Sequence, residues 1–196
     1  MDFFTELTQS TDKIHKEAES TNLMKSIVDL SIKHLSHRYY VYLSSFETIY
    51  SKLEDRLVST QLYYPELNRK SEIQKDLDHF QWAYYDTNLK SAQDYIEHIE
   101  KANDIELFAH SYVRYLGDLS GGFILQKKIK QAFNLDNAGF KFYVFEQIPN
   151  AREFKVEYKN KLLSLLTTTQ DQKLFIDAAL KVFELNLNLF HEIETL

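Results

Sequence analysis

Arg114–Phe133 reads RYLGDLSGGFILQKKIKQAF and holds three of the chain's four glycines, Gly117, Gly121 and Gly122. The apolar residues around them keep a helical rhythm: Tyr112, Tyr115 and Leu119, then Ile124, Ile129 and Phe133. Each glycine inside a helix costs about 1 kcal/mol relative to alanine. A glycine-poor chain that gathers them in one helix therefore uses the bare backbone for something. Gly117 and Gly121 are four apart and share a helix face. Two occupants suit such a face, a closely crossing helix or a flat ligand pressed against the backbone. The third glycine adds a reason for a kink. Arg114 and Asp118, also four apart, are placed to pair on the adjacent face.

Helical spacing extends outward from this stretch in both directions. Phe4, Leu7, Thr11, Ile14 and Ala18 mark one face of a first helix, and Leu23, Ile27 and Leu30 mark a short second one. A long aromatic segment from about Ser36 to Leu57 comes next; its tyrosines suit a strand, but its length and charge spacing favour helix. Pro65 sits in a loop, and helices are expected at Ser71–Tyr84 and Asn88–Lys101, the second with Asn88 as N-cap. The glycine helix itself spans about Ile105–Phe133, with an irregular or extended run after it to Asn150. Asn150 with Glu153, and Thr169 with Gln172, resemble capping boxes opening the last two helices. The expected architecture is one all-α domain over residues 1–196, a helical bundle.

Composition narrows the function. A length of 196 residues fits one well-buried domain, and 44% hydrophobic with 27% charged residues describes an ordinary globular chain. The absence of cysteine excludes disulfides, thiolate metal sites and cysteine nucleophiles. A net charge of −6 argues against general nucleic-acid binding. The N-terminus does not read as a signal peptide and no apolar run is long enough to span a bilayer, so a cytoplasmic or equivalent soluble setting is expected, without a membrane anchor.

Among seven histidines, His34 and His37 share a face in a polar stretch, while His98 and His191 stand beside acidic residues on expected surfaces. His15 differs, because it borders the buried face of the first helix with Glu19 one turn on. A histidine there is either a satisfied core residue or a ligand. Arg152, Lys155 and Lys159 share another face, either solvated or clamping carboxylates. The paired Glu-x-x-His motifs of a ferritin-like di-iron centre are missing.

Together these blocks resemble the heme oxygenase family. AHSYVRYLGDLSGGFILQKKI (109–129) is similar to its signature, and IHKEAESTNLM (14–24) to its proximal-histidine segment. YYPELNRKSEIQKDL (63–77), FKVEYKNKLLSL (154–165) and FELNLNLFHEI (183–193) resemble further family blocks, in family order. The PELNRK wording is closer to soluble cyanobacterial and plastid members than to anchored animal ones.

The resemblance implies heme held between a proximal N-terminal helix and a glycine-kinked distal helix. It makes His15 the axial ligand of iron, with Glu19 beside it, and places Tyr112, Lys155, Lys159 and Gly122 in heme binding. It places Asp118, Arg114, Gly117 and Gly121 on the catalytic side. Thr8 stands where many members carry a propionate-contacting lysine, while Lys13 and Lys16 flank His15. The implied activity opens heme b, both substrate and cofactor, at a meso carbon (alpha expected). The products are biliverdin, carbon monoxide and ferrous iron, from O2 and external electrons. No flavin or nicotinamide motif is present, so a separate reductant such as ferredoxin is implied, docking at Lys127, Lys128 and Lys130 or at Arg152, Lys155, Lys159 and Lys161. A non-catalytic heme carrier on the same fold, or a thiaminase-like enzyme, are the other classes; the second commonly relies on a cysteine that this chain lacks.

Overall fold

The computed structural model describes residues 2–29, 35–80 and 88–196, and within them the chain is helical, with no strand. Helix α1 spans Phe3–Glu19, α2 Asn22–Asp29, α3 Leu35–Leu57, α4 Lys70–Phe80 and α5 Lys90–Lys101. Helix α6, Asp104–Ser111, runs through a π-helical stretch at Tyr112–Leu116 into α7, Gly117–Phe133. Helices α8, Ala151–Leu165, and α9, Thr169–Glu194, complete the order. Leu30, His34 and the 81–84 end of the expected fourth helix lie outside the described residues.

The all-α expectation holds, and α9 is the axis of the bundle. It packs against α1, α2, α3, α5 and α6, and it is apolar round much of its circumference for that reason. The aromatic α3 is helical because its rings fill the interior rather than alternate across a sheet. Tyr39, Tyr42, Phe46 and Tyr50 are buried along it, and the Tyr42 and Phe46 rings meet with centroids 4.7 Å apart. Of the expected first-helix stripe, Leu7, Thr11 and Ala18 are buried, Phe4 and Ile14 are partly buried against the core, and Phe3, which the spacing did not mark, is buried beside them.

The helix starts are only partly where the sequence placed them. Asn150 does cap α8, its side chain accepting from the backbone N–H groups of Arg152 and Glu153. The box that opens α9 is shifted by one residue, to Thr168 with Asp171. Asn88 is not an N-cap; it accepts from the Gln93 side chain instead. Helix α5 starts at Lys90, and the Glu192 carboxylate of α9 receives the backbone N–H groups of Lys90 and Ser91, at 3.1 and 2.7 Å. A tertiary partner has replaced a local cap.

The departure from α geometry falls at Tyr112–Leu116, ahead of the glycines, and α7 is α-helical from Gly117 onward. A π turn widens the helix and redirects the chain beyond it. Here it turns Tyr112, Val113 and Leu116 toward a surface cleft while burying Arg114 and Tyr115 in the interior.

Candidate functional site

A cleft of about 710 Å³ opens between α1, the π stretch with α7, and α8. Its size is within the range of about 300–1,000 Å³ usual for small-molecule sites. Helix α1 contributes Leu7, Thr11 and His15, the distal side contributes Leu116, Gly117 and Gly121, and α9 closes the floor with Ala179 and Phe183. Arg152, Lys155 and Lys159 of α8 line it as well.

His15 stands in this cleft rather than in the core, with half of its side chain exposed. Its ring meets Phe183 edge-on at 5.5 Å, and its Nε2 lies 3.8 Å from a Glu19 carboxylate oxygen, too far for a hydrogen bond. The imidazole nitrogens thus remain available to a ligand. Gly117 and Gly121 decide between the two occupants their spacing allows. A Cβ built on either one meets nothing within 4 Å among the described residues, so no described helix crosses there. The bare backbone faces the cleft.

The three α8 cations have no carboxylate partner among the described residues. Lys155 Nζ donates to Ser120 Oγ at 3.2 Å, and Lys159 Nζ sits 5.0 Å above the Phe4 ring. Lys16, by contrast, is spent on Asp12 at 2.7 Å. Thr8 lines the cleft with its hydroxyl turned back onto the Phe4 carbonyl, at 2.8 Å. Cations without a carboxylate partner beside an apolar slot fit a ligand that is flat, apolar and anionic at one edge.

Arg114 and Asp118 do pair, as their spacing predicts, but behind the cleft wall. Arg114 Nη2 lies 3.2 Å from Asp118 Oδ1, and the side chains are 9% and 10% exposed. Arg114 also donates to the Tyr50 hydroxyl at 3.2 Å and to Asn186 Oδ1 at 3.0 Å, and its guanidinium lies 4.2 Å over the Phe46 ring. The Tyr50 hydroxyl in turn donates to Asp118 Oδ2. Burial raises the Asp118 carboxyl above its ordinary value, while the Arg114 charge and the Tyr50 hydrogen bond limit the rise. Such a carboxylate sits nearer to neutral pH than a free one, which suits proton handling.

Tyr50 and Asn186 are members of this network that the sequence did not single out. Asn186 left a signal, a polar residue on the buried face of LNLNLF; Tyr50 is one of thirteen tyrosines and left none. Gly122 faces away from the cleft, toward Tyr143, and does not line it. Nor is His98 a surface residue beside acids. It is half-buried, its Nδ1 lies 2.9 Å from Nε2 of the fully buried His110, and burial drives the His110 pKa down to about 3.

A family model described as heme oxygenase matches residues 1–192. The chain belongs to the heme oxygenase family of enzymes. Heme oxygenase 1 of Synechocystis sp. is 33% identical over 202 residues, covering 97% of this chain and 84% of that protein. The heme oxygenase of the red alga Rhodella violacea is 32% identical over 204 residues, covering 97% and 86%. Among solved structures, the heme oxygenase of Leptospira interrogans aligns with a TM-score of 0.88 at 33% identity, over 98% of this chain and 100% of that one. Synechocystis heme oxygenase-1 in complex with heme gives 0.89 at 28% identity, over 100% and 93%. The cleft therefore lies in the fold of a heme-binding family. Among the described residues no helix is long and apolar enough to cross a membrane.

Proposed function

We propose that the cleft takes heme b as substrate and cofactor, and that the chain opens it at a meso carbon, the alpha carbon by family expectation. Biliverdin, carbon monoxide and ferrous iron are the products, with O2 and external electrons consumed. The observation that carries this reading is the open backbone of Gly117 and Gly121, lining the same cleft as the unbonded imidazole of His15. The donor set fits the group: one nitrogen ligand for iron, room for a planar ring, and free cations for two propionates.

Bound heme supplies the iron that activates oxygen and the ring that is cut. The chain supplies the rest. His15 holds the iron side, and Glu19 stands beside it. Lys155, Lys159 and Arg152 fix which edge of the ring faces outward, and Tyr112 lines the same cleft, stacked on Phe4. Gly117 and Gly121 keep the distal roof thin enough for the ring to lie against backbone. Asp118 holds or releases a proton one layer behind that roof, so its reach into the cleft runs through water. Arg114 and Tyr50 keep its carboxylate aimed. A mere heme carrier has no use for this last network, which favours catalysis.

The test is turnover of added heme with O2 and a ferredoxin reducing system, with the products separated by chromatography. Biliverdin supports the reading; heme recovered intact supports the carrier. Repeating the assay at rising ionic strength tests the reductant as well. An acidic donor docking on the exposed lysines should lose rate as salt screens charges over about 8 Å, and a rate indifferent to salt would reject that docking.

Replacing both Lys155 and Lys159 with alanine should weaken heme binding. Each hydrogen bond to a charged group contributes about 1.5–3 kcal/mol when well formed, and both lysines are partly exposed, so the lower end applies. Bilin isomers should also become mixed as the ring loses its fixed edge. Unchanged affinity with a single isomer would return both lysines to solvent.

A further inference from the structure

The buried carboxylate of Asp76 on α4 takes no part in the site described above, yet it is fully enclosed. Its Oδ1 accepts the backbone N–H of Lys141 at 2.7 Å, and its Oδ2 accepts that of Phe142 at 2.8 Å. These residues open a single 3-10 turn, Lys141–Tyr143. Arg69, just ahead of α4, holds the far end of the same turn by donating to the Val144 carbonyl at 2.7 Å. A carboxylate in the interior is costly unless its partners are well formed. Burial accordingly pushes the Asp76 pKa up to about 6, against the two backbone donors that lower it.

The clamped turn touches the distal machinery at two places. Phe142, fully buried, meets the Tyr50 ring edge-to-face with centroids 5.7 Å apart. Tyr143 backs the glycine stretch, because a Cβ on Gly122 would stand 3.6 Å from its Cβ and its carbonyl oxygen. Gly122 thus faces this turn rather than the cleft.

We infer that Asp76 is a positioning residue: by fixing the Lys141–Tyr143 turn it seats Tyr50 against Asp118 and supports α7 from behind. Its consequence for turnover rests on the heme-opening reading, but its first test needs no heme. In Asp76→Asn the amide sets a donor against one of the two backbone N–H groups, and the turn loosens. In Phe142→Leu the turn stays clamped but the ring that braces Tyr50 is gone. Both variants should weaken the hydrogen bond from Tyr50 to Asp118.

Carbon-detected NMR titration of the Asp118 carboxyl in the heme-free protein reads that bond. Losing a donor to the charged form should raise the Asp118 midpoint by about half to one pH unit. The sign separates relay from direct electrostatics, since losing whatever negative charge Asp76 carries could only lower the midpoint. A rise in both variants supports the inference. An unmoved or lowered midpoint in either one overturns it, whatever happens to the melting temperature; Phe142→Leu keeps the question decidable if Asp76→Asn folds poorly. A parent protein that binds no heme would defeat the proposed function and leave this NMR result standing.

Discussion

Gly121→Leu should leave the heme-free protein folded and strip it of most of its heme affinity. The two effects separate because the position faces space on one side only. Leucine is a better helix former than glycine by about 0.5–1 kcal/mol, and the new Cβ meets nothing within 4 Å, so the melting temperature should hold or rise. The same side chain projects into the cleft, where forcing a rigid ring past it costs about 1–3 kcal/mol. At 1.4 kcal/mol per factor of ten, that is roughly a five- to 140-fold loss in affinity. A heme titration and a thermal melt on the same sample check both halves. A variant that unfolds would mean that Gly121 seats a neighbouring helix after all.

Asp118→Ala should cost stability as well as turnover. Removing one partner of a buried ion pair leaves the other uncompensated, typically at about 3–5 kcal/mol, and Arg114 is 9% exposed with no second carboxylate bonded to it among the described residues. Asp118→Asn separates the roles, since it keeps the shape and an oxygen for Arg114 while removing the proton acceptor. Heme should still bind to it. Bilin formation should fall by about 10²–10⁴, the usual contribution of a positioned proton-transfer group. Single-turnover spectra of the asparagine variant measure this, and biliverdin formed at the parent rate would remove Asp118 from the mechanism.

The parts of this molecule that were legible in its sequence are those carried by spacing within one helix. The buried stripe of α1, the shared face of Gly117 and Gly121, and the Arg114–Asp118 pair all come from residues three or four apart. The illegible parts depend on contacts between distant segments. Glu192 replaces Asn88 at the start of α5 across about a hundred residues of chain. The π turn at Tyr112–Leu116 is carried by one widened turn inside an otherwise helical run, and the helical spacing of YVRYL does not distinguish it from α. Tyr50, Asn186 and Asp76 acquire their roles only when α3, α9 and α4 bring them to partners 64 to 72 positions away. Gly122 shows the limit most plainly. It sits beside Gly121 in sequence and faces Tyr143 instead of the cleft, since neighbours on a helix point about 100° apart.

Resonance Raman spectroscopy of the ferrous heme complex tests the central claim most directly, by reading the bond between iron and the proximal imidazole. The parent protein should show an iron–histidine stretching band, His15→Ala should lose it, and added imidazole should restore it by entering the vacated space beside Phe183. An unchanged band in His15→Ala would place the iron on another ligand and contradict the site assigned to this cleft.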